Sequence, residues 1–210
     1  MRLILLRHGL TEANERHLYF GSTDLPLSER GREALRRSDR VLPPVQDYYT
    51  SGMNRTEETL HILVGDVPHQ KLPGLRELNF GVFELRGYDE LRFDPAYQAW
   101  ITGDNEKNVC PGGESAAAVT ERALAALEPV LRRDRDALCV THGGVIAGLL
   151  LHWFPLSCSP VLLHQWLIPP QKELLRLVQP LPLLYIPFLN HTRYCPSGHH
   201  NLQMSAPLPH

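Results

Sequence analysis

The chain alternates short apolar runs with longer stretches in which apolar residues recur at helical spacing. Residues 2–7 and 137–141 each contain a short apolar run, which is typical of a strand buried in a parallel sheet. A further strand is expected at residues 46–50, and helices are expected at residues 28–37, 55–63, 114–133 and 143–153. Strands that alternate with helices in this way predict an α/β fold.

The distribution of apolar residues also predicts how the chain is divided. We expect residues 1–188 to form a single domain, with further apolar pieces near Leu162, Leu174 and Leu183. Residues 66–113 hold too few apolar positions for a core of their own, so we interpret them as a lid-like excursion over the sheet edge. Residues 189–210 are polar and without period, which predicts an irregular C-terminal tail.

This tail contains the side chains that could suggest a metal site. Histidine and cysteine side chains, which are zinc ligands, recur there at His191, Cys195, His199 and His200. Structural zinc sites usually have tighter paired spacings, and a histidine-rich terminus is commonly solvated. We therefore predict no metal site and no cofactor, and the role of the tail stays open.

The charge balance limits the classes of partner. The chain has 21 lysine and arginine residues against 23 aspartate and glutamate residues, for a formal net charge of −2. Such a balance gives no global attraction for nucleic acid or for an anionic membrane, so we expect neither as a partner. Attraction for an anionic substrate has to be local.

Cysteine usage and the N-terminal segment indicate the compartment. The four cysteines are widely spaced, and Cys139 falls inside a predicted strand, which argues against a disulfide framework. Arg7 ends the apolar run at residues 3–6 well below the length that a signal peptide needs, and no run is long enough to span a membrane. We expect a cytoplasmic protein that is a monomer or a homodimer.

Two of the predicted strands end in a histidine that is followed by glycine. Arg7 and His8 end the first strand, and His142 ends the strand at residues 137–141. Because ligands of parallel sheets bind beyond the carboxyl ends of the strands, we expect these side chains at one rim. A neutral imidazole can attack phosphorus, and a guanidinium matches phosphate oxygens. The pattern therefore predicts phosphoryl transfer through a histidine.

Arg55 adds a second guanidinium to this prediction. It is expected at the beginning of a helix, where the helix dipole mildly disfavours a positive charge. A charge at this place is explained if it binds an anion that the helix N-terminus also attracts. Taken alone, each of these residues has an ordinary structural explanation, but together they place two arginines and two histidines where one phosphate could contact them all.

Several motifs, in this order along the chain, resemble those of the histidine phosphatase superfamily, also called the phosphoglycerate mutase-like proteins. The resemblance covers roughly residues 1–155, which makes it more specific than any single short match. It rests on the Arg-His-Gly run at 7–9, the loop at 19–31, the Ser-x-x-x-Arg element formed by Ser51 and Arg55, the segment at 75–84, the Pro-Gly-Gly-Glu-Ser run at 111–115 and the His-Gly-Gly run at 142–144. It implies a three-layer α/β/α fold with a mostly parallel central sheet.

The resemblance also implies catalytic roles. His8 would be the nucleophile and form a phosphohistidine. Arg7, Arg55 and His142 would bind the phosphoryl oxygens, a role for which His142 would need a proton. No metal would be required, because the arginines supply the positive charge.

A carboxyl group and further phosphate-binding residues complete the implied site. Glu77 would protonate the leaving oxygen and then accept a proton from the attacking water, with Glu84 as the second candidate for this role. The phosphate-binding residues would be Arg7, Asn14, Gly21, Arg55, His142 and Gly143.

Within the family, departures from the mutase pattern favour a phosphatase. The pattern of cofactor-dependent phosphoglycerate mutases has tryptophan before the asparagine that corresponds to Asn14, and lysine before the arginine that corresponds to Arg55. This chain has Ala13 and Asn54 at those two positions. Residues 19–31 and 80–84 resemble the α-ribazole phosphatases and related bacterial phosphatases of broad specificity. We expect a phosphomonoester hydrolase acting on a small phosphorylated metabolite, with α-ribazole 5′-phosphate as a candidate. A cofactor-dependent phosphoglycerate mutase and a non-catalytic phospho-ligand sensor stay open as alternatives.

Overall fold

The computed structural model describes residues 1–39, 41–104, 106–154 and 183–187, the last of these by its backbone. The described residues form five strands: β1 (Arg2–Arg7), β2 (Asp47–Thr50), β3 (Gln70–Lys71), β4 (Ala137–Thr141) and β5 (Leu183–Pro187). They make one sheet with the strand order β3-β2-β4-β1-β5. The first four are parallel, and β5 pairs antiparallel with β1. The predicted α/β class with a mostly parallel sheet is confirmed.

The four predicted helices are present, with bounds that differ slightly from the predicted ones. They are α2 (Glu29–Arg36), α3 (Asn54–Val64), α6 (Ala116–Arg132) and α7 (Gly143–Trp153). Three helices that the periodicity did not predict are α1 (Glu12–Glu15), α4 (Tyr88–Leu91) and α5 (Pro95–Ile101). These helices are too short to show an apolar period, which explains why the sequence pattern missed them.

Serine side chains fix the beginning of two of the long helices. The Ser28 hydroxyl accepts a hydrogen bond from the Gly31 N–H, and the Ser115 hydroxyl accepts one from the Ala118 N–H. Each bond satisfies an N–H that has no partner within its own helix, which stabilises a helix by about 1 kcal/mol. α2 and α6 therefore begin where the sequence provides a cap.

The two faces of the sheet are covered by different helices. Leu3 and Leu5 of β1 share a buried cluster with residues of α6 and α7, whereas Ile4 and Leu6 share a second cluster with Leu60 of α3. Alternate residues of a strand point to opposite faces, so β1 carries both layers of the core. All four β1 side chains are fully buried, and each contributes about 2 kcal/mol by its transfer from water.

The excursion at residues 66–113 is attached to the sheet by its own strand. β3 adds to the edge of the sheet beside β2, and both of its residues are exposed. A strand of two polar residues has no hydrophobic signature, so the sequence did not predict it. Apolar residues that follow it belong to the same buried cluster as β1 and β4; they include Leu75, Leu78, Phe80, Phe83, Leu91 and Tyr97.

Two of the sequence predictions concern parts of the chain beyond this description. The apolar pieces near Leu162 and Leu174 and the C-terminal tail lie outside the described residues. Within the described ranges, no helix combines the length and the apolar character that crossing a membrane requires.

Candidate active site

The two histidines lie side by side where β1 and β4 end. β1 and β4 are neighbours in register, with Arg7 opposite Thr141, and the His8 N–H donates to the Thr141 carbonyl at 3.0 Å. The ring centroids of His8 and His142 are 5.1 Å apart. His8 is 4% exposed and His142 is fully buried. The structure thus brings both histidines to one rim of the sheet.

A hydrogen bond to the backbone sets the tautomer of His8. Its Nδ1 lies 2.6 Å from the carbonyl oxygen of Gly9. A carbonyl oxygen can only accept, so Nδ1 carries the proton and Nε2 carries the lone pair. Burial, followed by the positive charges of Arg55 and Arg7, holds the pKa of His8 well below its ordinary value. His8 is therefore a neutral imidazole with an available lone pair on Nε2.

His142 is neutral as well, and both of its ring nitrogens are engaged. The Arg55 Nε–H donates to His142 Nδ1 at 3.3 Å, so Nε2 bears the proton and donates to the Ser51 hydroxyl at 2.8 Å. Burial, Arg55 and the other nearby charges hold the pKa of His142 well below its ordinary value. The resemblance implied a role for which His142 would need a proton, whereas these hydrogen bonds describe a neutral ring that orients Arg55.

The guanidinium of Arg55 is fully buried at the beginning of α3. It donates to the carbonyl oxygens of Gly21 at 2.8 Å and Thr23 at 3.0 Å, and it lies over the ring of Phe20 with 5.0 Å to the ring centroid. Burial lowers the pKa of Arg55 to about 10, which leaves the group charged at neutral pH. Three hydrogen bonds and an aromatic face therefore fix the direction of this cation.

Arg7 lies at the beginning of α7. A Cβ at Gly143 would be 3.5 Å from Arg7 Nε, so the guanidinium packs against the first residue of the helix. Burial lowers the pKa of Arg7, and the negative charge of Glu77 opposes this effect. Arg7, Gly143 and Glu77 are thus close together at this end of α7.

Glu77 reaches the same helix N-terminus from the excursion. One carboxyl oxygen accepts from the Leu78 N–H at 2.9 Å, and the other accepts from the Gly144 N–H at 3.0 Å. A Cβ at position 144 would lie 2.5 Å from Glu77 Oε1, so the second glycine after His142 makes room for this carboxyl group. Glu77 is therefore held at the N-terminus of α7, which begins directly after His142.

A salt bridge that the sequence analysis missed holds the backbone around Glu77. Arg122 of α6 donates to the carbonyl oxygens of Gly74, Arg76 and Glu77 at 2.7–3.0 Å. The same guanidinium pairs through two nitrogens with Glu114, whose carboxylate also accepts from the Asn79 N–H. Residues 74–79 are thus fastened to α6 on both sides of Glu77.

Glu84 is surrounded by donors. It accepts from the backbone N–H groups of Gly21, Ser22, Thr23 and Phe80, and from the Thr23 hydroxyl at 2.6 Å. Partial burial alone would raise the pKa of Glu84, but these hydrogen bonds together hold it below the ordinary value. A carboxylate that is stabilised in its ionised form is a poor proton donor, so these contacts do not suit Glu84 to the acid role.

Asn14 accepts hydrogen bonds through its side-chain oxygen, and Gly21 donates one through its backbone N–H. The Asn14 side-chain oxygen accepts from the Thr11 N–H, and the two residues form a capping box at α1. The Gly21 N–H is held by Glu84, and a Cβ at Gly21 would overlap the Leu78 carbonyl. Gly21 is needed for this close approach of two loops, which also brings its carbonyl to Arg55.

No group of three or more histidine, cysteine, aspartate or glutamate side chains in the described part of the chain is arranged to hold a metal ion. The histidines and the cysteine of the tail, which the sequence analysis weighed as zinc ligands, lie outside the described residues.

Comparisons with known proteins identify relatives of this chain. Residues 3–167 match the model of the histidine phosphatase superfamily (branch 1). An adenosylcobalamin/alpha-ribazole phosphatase of Salmonella typhimurium is 35% identical over 159 residues, covering 71% of this chain and 78% of that protein. A 2,3-bisphosphoglycerate-dependent phosphoglycerate mutase of Cytophaga hutchinsonii is 29% identical over 165 residues, covering 71% of this chain and 76% of that protein.

Solved structures show the same relation. The alpha-ribazole phosphatase of Shigella flexneri superimposes with a TM-score of 0.62 at 29% sequence identity. The match covers 72% of this chain and 79% of that structure.

Proposed function

Because the chain belongs to the histidine phosphatase superfamily, we propose that it hydrolyses phosphomonoesters through a phosphohistidine on His8. The observation that carries this proposal is the state of His8, a buried neutral imidazole beside His142 whose Nε2 bears the lone pair. Arg7 and Arg55 provide two cations next to it. A nucleophile in this setting can attack a phosphate whose charge the guanidinium groups neutralise.

In the first step, the lone pair of His8 Nε2 attacks phosphorus and the ester P–O bond breaks. Glu77 enters this step with a proton that it binds in the substrate complex; the leaving oxygen takes that proton, and Glu77 becomes a carboxylate again. Arg7 and Arg55 bind the phosphoryl oxygens throughout. Gly143 has no side chain, which allows its backbone to approach these oxygens closely. Asn14 contributes its amide, and Gly21 acts through its carbonyl on Arg55. His142 orients Arg55 in the free enzyme.

In the second step, the Glu77 carboxylate takes a proton from water, and the water oxygen attacks the phosphoryl group. The P–N bond breaks, inorganic phosphate leaves, and the lone pair returns to His8 Nε2. Each group ends in its starting state. Two guanidinium groups provide the positive charge that phosphoryl transfer needs, so the proposed reaction is independent of metal.

The proposed substrate is a small phosphorylated metabolite, with α-ribazole 5′-phosphate as the first candidate. Relatives with alpha-ribazole phosphatase in their names support this choice, at 35% and 33% identity. Phosphoglycerate mutases are also among the relatives, so interconversion of phosphoglycerates is the second candidate. Ala13 and Asn54, which depart from the mutase pattern, favour hydrolysis.

Hydrolysis of p-nitrophenyl phosphate by the wild type and His8→Ala, measured once with EDTA and separately with orthovanadate as competitor, tests the proposal. We expect turnover in EDTA that vanadate inhibits and that the variant lacks. Turnover by His8→Ala at the wild-type rate would contradict the assignment of the nucleophile. Vanadate binding without turnover would favour a mutase that needs a phosphorylated primer, or a sensor.

A further inference from the structure

Glu84 contacts a short loop that has Arg55 on its other side. The loop consists of residues 21–23, and we call it the arginine-holding loop. Its three N–H groups donate to the Glu84 carboxylate at 2.9, 3.0 and 3.2 Å, for Gly21, Ser22 and Thr23 in that order. The Thr23 hydroxyl adds a fourth bond at 2.6 Å. One carboxylate thus binds every backbone donor of the loop.

The carbonyl oxygens of the same loop bind Arg55. Gly21 accepts from Nη2 at 2.8 Å, and Thr23 accepts from Nη1 at 3.0 Å. The loop therefore lies between a carboxylate that fixes its N–H groups and a guanidinium that is fixed by its carbonyls. A change in the position of the carboxylate is transmitted through two peptide units to the phosphate-binding cation.

Glu84 also joins this loop to the segment that carries Glu77. The Phe80 N–H donates to Glu84 at 3.0 Å, and the Ser22 hydroxyl donates to the Asn79 side chain at 3.2 Å. An ionised carboxylate only accepts hydrogen bonds, which matches the five donors around it.

We propose that Glu84 is a positioning residue: its carboxylate holds the arginine-holding loop so that the loop's carbonyls direct Arg55 at the phosphoryl group. This inference rests on the proposed function, in which Arg55 binds the phosphoryl oxygens. It replaces the acid role for which the sequence made Glu84 a candidate. The depressed pKa of Glu84 agrees with a group that remains charged throughout the reaction.

Glu84→Gln tests the proposal, because it preserves size but turns an amide N–H₂ towards N–H donors. Glu84→Asp keeps the charge, and Glu90→Gln is the matched control, since Glu90 lies in the same excursion and pairs with Arg86 at the surface. The measurements are the dissociation constant of orthovanadate by calorimetry, and kcat/KM for p-nitrophenyl phosphate and for an alkyl phosphate.

We expect Glu84→Gln to weaken vanadate binding roughly tenfold or more. The arginine-holding loop loses its charge-assisted hydrogen bonds to the carboxylate, so its carbonyls no longer fix the direction of Arg55. The loss of kcat/KM should be similar for both esters, and Glu84→Asp should restore part of each loss. Unchanged vanadate binding would overturn the proposal. A loss confined to the alkyl phosphate would also overturn it and return Glu84 to the acid role.

The role of Glu84 can still be tested if the proposed function is wrong or if Glu84→Gln does not fold. If the wild type binds vanadate without turnover, the proposed function fails while the vanadate comparison still decides the role of Glu84. If Glu84→Gln does not fold, Thr23→Val removes one of its hydrogen bonds and leaves the loop backbone intact. We then expect a loss of vanadate affinity of about two- to tenfold, and an unchanged affinity would contradict the proposal.

Discussion

The ends of β1 and β4 and the excursion from residue 66 to 113 both bring side chains to the same rim, and they do so in different ways. His8 and His142 follow strands whose apolar side chains are buried and whose register places the two histidines side by side. Glu77 follows an irregular segment that is held by long-range hydrogen bonds from Arg122. The nucleophilic half of the site thus follows regular strands of the core, whereas the acid half lies in an irregular segment that combines the buried Leu75 and Leu78 with polar contacts from Arg122.

If the nucleophilic half of the site binds the phosphoryl oxygens, loss of Arg55 should have the largest effect on activity. Arg55→Met should lower kcat/KM for p-nitrophenyl phosphate about 10³-fold, because a cation that neutralises the phosphoryl oxygens is removed. Orthovanadate binding should be lost in parallel. Arg32→Met, which removes an arginine paired with Glu58 at the surface, is the control. A loss of less than tenfold in a folded variant would contradict the assignment.

Glu77→Gln should separate the acid half from the nucleophilic half. For an alkyl phosphate, the single-turnover rate of phosphorylation should fall about 10²-fold or more, because the alkoxide then leaves without a proton. Burst release of p-nitrophenol should fall much less, since nitrophenolate needs no proton to leave. Glu90→Gln should match the wild type with both esters. Equal losses for the two esters in Glu77→Gln would show that this residue is not the acid.

Arg122→Met should show how far the excursion depends on one side chain. Three carbonyl oxygens and Glu114 lose their donor, so the free energy of unfolding should fall by about 2 kcal/mol. Arg122→Lys should recover only part of this, because an ammonium cannot fork between the same acceptors. Urea unfolding of both variants measures the effect, with the exposed Arg132→Met as control. Full recovery by lysine would argue that charge alone matters.

The smallest effect is expected where β3 attaches the excursion to the sheet. The hydrogen bond to the Val67 carbonyl and the pairing with Glu57 raise the pKa of His69. A raised pKa gives stability that is present below the unfolded-state value and lost as pH rises through the folded-state value. Because solvent screens this partly exposed pair, the difference in unfolding free energy between wild type and His69→Gln should be about 0.5 kcal/mol or less.

That difference should be present at about pH 5.5 and absent at about pH 9, since the ordinary histidine value is near 6.5. Urea unfolding at the two pH values measures it, with His61→Gln as a control for an exposed histidine. A difference that grows with pH would contradict the sign.

The same division explains which parts of the molecule the sequence could predict. β1 and β4 were predictable because continuous apolar runs identify buried parallel strands, and the position after each run then places His8 and His142. β3 was not predictable, because two exposed polar residues carry no pattern. Its pairing depends on the rest of the sheet being present.

The individual roles of the carboxyl groups were harder to predict than their presence. The resemblance pointed to Glu77 and Glu84 in one segment, but spacing along the chain does not show which carboxylate meets N–H donors in folded space. Glu84 is distinguished by the loop at residues 21–23, which is distant in sequence. Arg122 was missed because its partners are also distant in sequence. From the sequence alone, an arginine on a helix surface is expected to make only weak ion pairs.

The central claim is that the phosphoryl group is held covalently on His8. The most direct test is to quench the wild type in alkali during turnover and to locate the phosphorylated peptide by mass spectrometry. We predict a base-stable, acid-labile phosphoryl group on the peptide that contains His8, with none in His8→Ala. A phosphoryl group on another residue, or turnover with no phosphoenzyme under single-turnover conditions, would contradict the account.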